Sequence, residues 1–291
     1  MVAAMLELYL KLKPYIKRFL LKVIDQVNRR VMRYISRGNL LDYAPNGWET
    51  PVIGGGWNAL SAVEAEKANW PHFCSLLEGT GPLGFHHETR MSETRNVMFH
   101  NINITYGYIL ALASHNKSTV SVLDYGGSLG HYYKLGKALI PEVRLDFSCK
   151  EMPAVVEAGK RLTPEVQWYT DDSCLARTYD LLMITSSLQY MHHWQRFIYE
   201  VAGSVGEYFF LSRIPVSHTT DSYVAVQRTY STEMLHWVFN KNELENVVIK
   251  SGFVLEREFV LGERHYVKGI PEQCELISWL FKKNKKSSNT I

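Results

Sequence analysis

Long apolar runs are the first thing this 291-residue chain lacks: none approaches the ~20 consecutive apolar residues of a membrane-spanning helix. The N-terminus also lacks the compact apolar block and small-residue cleavage site of a secretory leader. Cysteine is scarce and scattered, because Cys74, Cys149, Cys174 and Cys274 form no Cys-x-x-Cys pair. That excludes the common zinc frameworks and a disulfide scaffold, and it fits a reducing cytoplasm. Charge of one sign is not in excess either; a net +3 gives no case for nucleic acid. Metal-ligand spacing is missing too: Asp171/Asp172 with His192/His193, or His86-His87, match no known pattern, so no metal is expected. What is present, 46% hydrophobic and 21% charged, is the composition of a folded globular protein. Its length suits one large domain or one domain with additions.

The charge is unevenly spread. Residues 1–38 hold nine Lys and Arg against Glu7 and Asp25, a local +7 that leaves −4 for the rest. Leu20, Ile24, Val27, Val31 and Ile35 recur there at helical spacing, with basic side chains on the other faces, and Pro14 kinks or ends the first turns. A basic amphipathic helix over 6–37 suits three fates. It lies on an anionic membrane surface, packs on its own domain, or packs on a second subunit as in a homodimer. Residues 39–92 read as an irregular cap rich in Gly, Pro, Trp and Asn, with one helix over 59–75 and Trp48, Trp57 and Phe85 as candidate substrate contacts. The triple glycine at 54–56 is no phosphate loop, since no Lys-Ser/Thr follows it and no buried strand leads in. A catalytic domain at 93–281 and a basic, Ser/Asn-rich disordered tail at 282–291 complete the division.

The chain is organised around residues 119–133. Val120, Val122 and Leu123 form a short buried strand ending at Asp124, a turn follows with Gly126, Gly127 and Gly130, and helical spacing runs from His131 to Ile140. Strand, glycine-rich turn and helix together begin an α/β nucleotide site, where backbone N–H groups and a helix N-terminus meet a ligand. No register of these glycines gives the Gly-x-Gly-x-x-Gly of a dinucleotide site. A carboxylate two residues before the first glycine repels a pyrophosphate and suits a ligand carrying an ammonium and a sulfonium. The pattern resembles motif I of class I methyltransferases that use S-adenosylmethionine (SAM), acid-x-Gly-x-Gly-x-Gly, with Ser128 in place of the middle glycine.

Downstream, strands and helices alternate. A helix over 93–114 precedes the first strand. The second strand, 143–149, ends at Glu151, placed to accept hydrogen bonds from ribose hydroxyls and preferred over the mid-strand Asp146. A helix over 154–162 leads to a third strand at 166–170 and to Asp171 and Asp172, which either reach an adenine amino group or cap a loop. Tyr179 to Thr185 is the fourth strand, followed by Ser186 to Trp194, a helix over 194–205 and a fifth strand at 208–211. Beyond a polar stretch, a helix over 244–251 and a closing hairpin of 253–260 with 264–267 are expected. This alternation predicts an α/β fold, a Rossmann-like parallel sheet with helices on both faces, and ligands at the carboxyl ends of its strands.

Leu-Asp-Tyr-Gly-Gly-Ser-Leu-Gly at 123–130, Lys-Glu-Met-Pro-Ala-Val-Val-Glu-Ala-Gly at 150–159, Ser-Ser-Leu-Gln-Tyr at 186–190 and Arg-Ile-Pro at 213–215 together resemble one group. It is the class I methyltransferases found among bacterial lipopolysaccharide, O-antigen and capsule biosynthesis genes. The resemblance covers roughly residues 95–260. It implies SAM as methyl donor and a sugar-containing small molecule or glycan as acceptor. It also implies that Asp124, Gly126, Ser128 and Gly130 hold the methionine part and that Glu151 holds the ribose. Gly127, Asp171, Asp172, Ser186 and Gln189 complete the expected cofactor set. A sugar hydroxyl is a weak acid, so a base is expected, and His192 and His193 beyond the fourth strand are candidates, only one of them facing the site. Tyr190 and Gln189 are candidates for orienting the acceptor. Arg213 suits a phosphate or carboxylate on it, or else a structural ion pair. An assembly subunit that keeps the fold without turnover is the alternative that Ser128 leaves open.

Overall fold

The computed structural model describes residues 41–284 apart from 55, 59, 87–93 and 230–231. The expected helix at 6–37 and most of the expected tail lie outside the described residues. In chain order the elements are β1 (Leu41–Tyr43), α1 (Leu60–Leu77), α2 (Val97–Ser114), β2 (Thr119–Tyr125), α3 (His131–Leu139), β3 (Arg144–Lys150), α4 (Pro153–Leu162), β4 (Gln167–Tyr169), β5 (Tyr179–Thr185), α5 (Trp194–Ala202), β6 (Val205–Ser217), β7 (Tyr223–Thr229), β8 (Thr232–Asn240), α6 (Lys241–Lys250), β9 (Phe253–His265), β10 (Val267–Lys268) and β11 (Cys274–Lys283).

Five parallel strands lie in the order β4–β3–β2–β5–β6; β11 then pairs antiparallel with β6, and β9 antiparallel with β11. This is the expected Rossmann-like α/β sheet, with helices on both faces. The winding reverses at β2: β3 and β4 build to one side, β5 and β6 to the other. The crevice beyond the carboxyl ends of β2 and β5 is where such a sheet binds ligands.

The central strands read as unbroken apolar runs because both their faces are covered; Leu181, Leu182, Met183 and Ile184 of β5 are each fully buried. On one face α5 and α6 bring Trp194, Ile198, Val201, Leu244 and Val248 onto Leu182, Ile184 and Phe209. On the other, α2 and α3 bring Tyr106, Ile109, Leu110 and Leu135 onto Val120, Val122, Leu181 and Met183. Each such side chain contributes about 1.5–3 kcal/mol through burial, so these two layers hold the crevice in place.

Several expectations change. The fifth strand does not stop at Leu211: β6 runs on through Arg213 and Pro215, and its last residues Val216 and Ser217 pair in parallel with Phe239 and Asn240 of β8. The supposed polar stretch is the hairpin β7–β8, which carries β1 and β10 as a smaller sheet. The cap therefore contributes a strand and is not wholly irregular. The closing hairpin is β9 with β11, not 253–260 with 264–267, and Lys282 and Lys283 belong to β11. No helix among the described residues is long and apolar enough to cross a membrane.

Candidate cofactor and acceptor site

The turn after β2 is shaped by its glycines. Gly126 has φ +84°, and a Cβ there would lie 2.5 Å from that of Ser187, so any larger residue clashes as well as strains. Gly130, at φ +82°, is the residue from which α3 starts. Ser128 stands in the same left-handed region, φ +53°, which non-glycine residues seldom occupy. Its hydroxyl donates to Oε2 of Glu66 on α1 (2.5 Å), and its N–H donates to Oε1 of Glu151 (3.0 Å).

Asp124 is placed differently from expectation. It is fully buried beneath the turn, where a Cβ on Gly127 would lie 2.4 Å from Oδ2. Both its carboxyl oxygens lack a hydrogen-bond partner. Burial first, and the charge of Glu151 second, push its pKa well above the usual carboxylate range. Asp124 does not border the cavity, because the strand end turns its side chain under the glycines.

A cleft of about 1050 Å³, its open mouth included, lies beyond β2, β3 and β5. Gly126, Ser128 and Glu151 border it, with Met152 and Val155 of α4 alongside and Trp57, Val63 and Glu66 of the cap across from them. Glu151 also accepts the N–H of Met152 through Oε2 (2.7 Å). Burial raises its pKa, and these N–H bonds and Lys150 act the other way. Asp146 instead pairs with Arg177. Asp171 and Asp172 are outside the lining. Asp171 caps the short turn 172–176 by accepting the N–H of Ser173 (2.9 Å), and Asp172 accepts the hydroxyl of Tyr125 (2.6 Å). Both were read at a strand end, but local capping and Tyr125 engage them.

Past β5, Ser186 (φ +58°), Ser187 and Tyr190 border the cleft, while Gln189 is buried behind it with Nε2 3.4 Å from the Ser186 hydroxyl. Tyr190 donates its hydroxyl to Oε1 of Gln227 on β7 (2.7 Å) and meets Trp57 edge to face. Arg213 borders the cleft and is also an ion-pair residue, 3.3 Å from Glu263, which His265 approaches at 3.0 Å. Burial alone would raise the Glu263 carboxyl, but Arg213 and His265 outweigh it and hold it at about 2.

His192 and His193 do not reach the cleft. Both are exposed and stack on each other at 4.2 Å, and His192 stacks on Trp48 at 4.8 Å. The turn 188–190 ends before them and carries them outward to the aromatic surface of β8. Phe85 is buried in the packing of α1 and so does not line the cleft.

Two histidines outside the expected site set do border it: His131, the first residue of α3, and His86 of the cap, weighed in the sequence only as a metal ligand, their rings 5.6 Å apart. His131 follows the motif directly, so its position at the helix start was a signal within reach. His86 and Glu66 come from the cap, whose docking no local pattern encodes. Among the described residues no group of three or more His, Cys, Asp or Glu is arranged to hold a metal ion.

No protein-family model and no curated protein matches the chain. Solved structures do resemble it. A Burkholderia thailandensis 1,6-didemethyltoxoflavin-N1-methyltransferase bound to its substrate and S-adenosylhomocysteine (SAH) is 12% identical, TM-score 0.45, over 82% of this chain and 94% of that one. The N-methyltransferase NodS of Bradyrhizobium japonicum WM9 with SAH is 13% identical, TM-score 0.43, over 74% and 98%. Magnesium protoporphyrin IX methyltransferase of Synechocystis PCC 6803 with SAH is 12% identical, TM-score 0.43, over 73% and 94%. At this distance the ground for the fold is the strand order itself.

Proposed function

We propose that this protein is a SAM-dependent class I methyltransferase whose acceptor is a hydroxyl of a sugar-containing small molecule or glycan. One observation carries the reading: a single cleft at the switch point of the sheet is bordered by the glycine turn, by the strand-end carboxylate Glu151 and by the segment 186–190. The residues present suit SAM. Gly126 brings bare backbone to the cleft, Ser187 leaving no place for a side chain there, and Glu151 is an acceptor for ribose hydroxyls. Gly126, Ser128 and Glu151 would hold it, and it supplies a methyl group on a sulfonium, open to in-line displacement by an oxygen.

The chain's own residues do the rest. Trp57, Val63 and Met191 present apolar surface to the cleft and exclude water. Tyr190, held by Gln227, orients the acceptor. His131 or His86 takes the hydroxyl proton at a ring nitrogen, imidazole being the side chain that does so near neutrality. Arg213 offers a guanidinium edge to an acidic group on the acceptor. The sugar acceptor is supported by the Leu-Gln-Tyr and Arg-Ile-Pro motifs. If that sugar is lipid-linked, the basic stretch 6–37 keeps the enzyme at the inner face of a membrane, and membrane fractionation of a chain lacking 1–38 tests this.

The deciding experiment is calorimetry of the full chain with SAH and with NAD, followed by transfer of labelled methyl from SAM to a cell-envelope extract. SAH binding without NAD binding, and label in a sugar fraction, are expected. Absence of SAH binding overturns the enzyme, and label in a non-sugar fraction alone overturns the acceptor class.

A further inference from the structure

Glu66 is a carboxylate that no motif marks. It sits on α1, is only 8% exposed and borders the cleft. Among the described residues the cleft has one other acid at its border, Glu151. Ser128 stands between the two, its N–H directed to Glu151 and its hydroxyl to Glu66. Glu151 lies just past the end of β3, where the proposed reading gives it the ribose hydroxyls. Asp124, which the sequence offered for the amino-acid end of the donor, is sealed beneath Gly127.

Resting on the SAM reading above, we propose that Glu66 is the ligand for the ammonium of the donor's amino-acid end, and that Ser128 aims it. An ammonium brought into a cleft with a mainly apolar lining needs a carboxylate partner, and charge-assisted N–H···O bonds are the strong ones. Glu66 is the cleft-facing carboxylate on the opposite side of the turn from the ribose acid. The placement also explains why a serine occupies the position where the motif has glycine. Its left-handed backbone is strained, and the hydroxyl offsets that strain by fixing Glu66 against the turn. The cap then takes part in recognising the donor as well as covering it.

The test uses the full chain and three probes: SAH, its deaminated analogue that keeps the carboxylate, and 5′-methylthioadenosine, which lacks the amino-acid end. Glu66→Gln keeps the size of the side chain and an oxygen for the Ser128 hydroxyl. It is expected to weaken SAH on the order of 10- to 100-fold and to change the other two less than about twofold. Ser128→Gly, which relieves the backbone and removes the hydroxyl together with its methylene, is expected to weaken SAH by a smaller factor with the same selectivity. Circular dichroism confirms that both variants fold. Unchanged SAH affinity in Glu66→Gln overturns the proposal, as does an equal loss for all three probes. If the wild-type chain binds none of them, the SAM reading itself falls, and the proposal with it.

Discussion

At the scale of single residues, the turn after β2 tolerates little change. Gly126→Ala would put a methyl 2.5 Å from Ser187 and force φ +84° on an L-residue. It is expected to lower SAH affinity by at least about tenfold in calorimetry, with a strain cost of order 1–3 kcal/mol. His192→Ala and His193→Ala, by contrast, should leave SAH affinity and methyl transfer within about twofold of wild type, because His192 stacks on Trp48 and His193 on His192, both outside the cleft. A large loss of transfer in either would restore them as bases. The contrast also shows what a sequence reveals about a site. Glycines and the strand-end acid were legible because the turn constrains them locally. Which histidine faces a cleft depends on the last half-turn of a loop and on the docking of a distant segment, and spacing carries neither.

Among the elements, the link from β6 to β7 and the start of β11 are joined by one side chain. Glu272 accepts the N–H groups of His218, Thr219 and Thr220 and the hydroxyls of Thr219 and Thr220. Burial works against its ionisation, but these donors outweigh burial and hold it at about 2. A carboxyl with a lowered folded pKa stabilises the protein above its unfolded value of about 4.3 and ceases to as pH falls toward 2. Thermal melts from pH 5 to pH 2 should therefore show a steep acid limb that Glu272→Gln flattens. Glu272→Ala at pH 7 is expected to lower Tm by a few degrees, the effect of about 1–2 kcal/mol in a chain of this size. None of this was visible in the sequence, and β11 itself was missed although Leu276 to Phe281 is almost wholly apolar. Pro215 does not interrupt β6. It falls where the β5 ladder has ended at Ser212 and the β8 ladder has not yet begun at Val216, and a missing N–H is tolerated at such a break.

For the molecule as a whole, SAH that binds the folded chain and not the unfolded one stabilises it by mass action. At 100 times its Kd the gain is about 2.7 kcal/mol, so Tm should rise by roughly 5–10 °C; NAD at the same concentration should leave the melt unchanged. A flat response to both would argue that the chain keeps the fold without the ligand. The main sheet was readable because β2 and β5 carry buried apolar runs closed by a turn and β3 alternates beside them. The smaller sheet was not, since β1, β7, β8 and β10 come from three separate stretches and join the main sheet where β8 pairs with β6. That dependence on β6 has an evolutionary consequence. The small sheet hangs from its last residues, 216 and 217, and touches the cleft through the Gln227–Tyr190 bond, whereas the glycine turn belongs to β2. On the proposed function, a lineage that exchanges the hairpin changes the support of Tyr190 while the glycine turn is inherited intact.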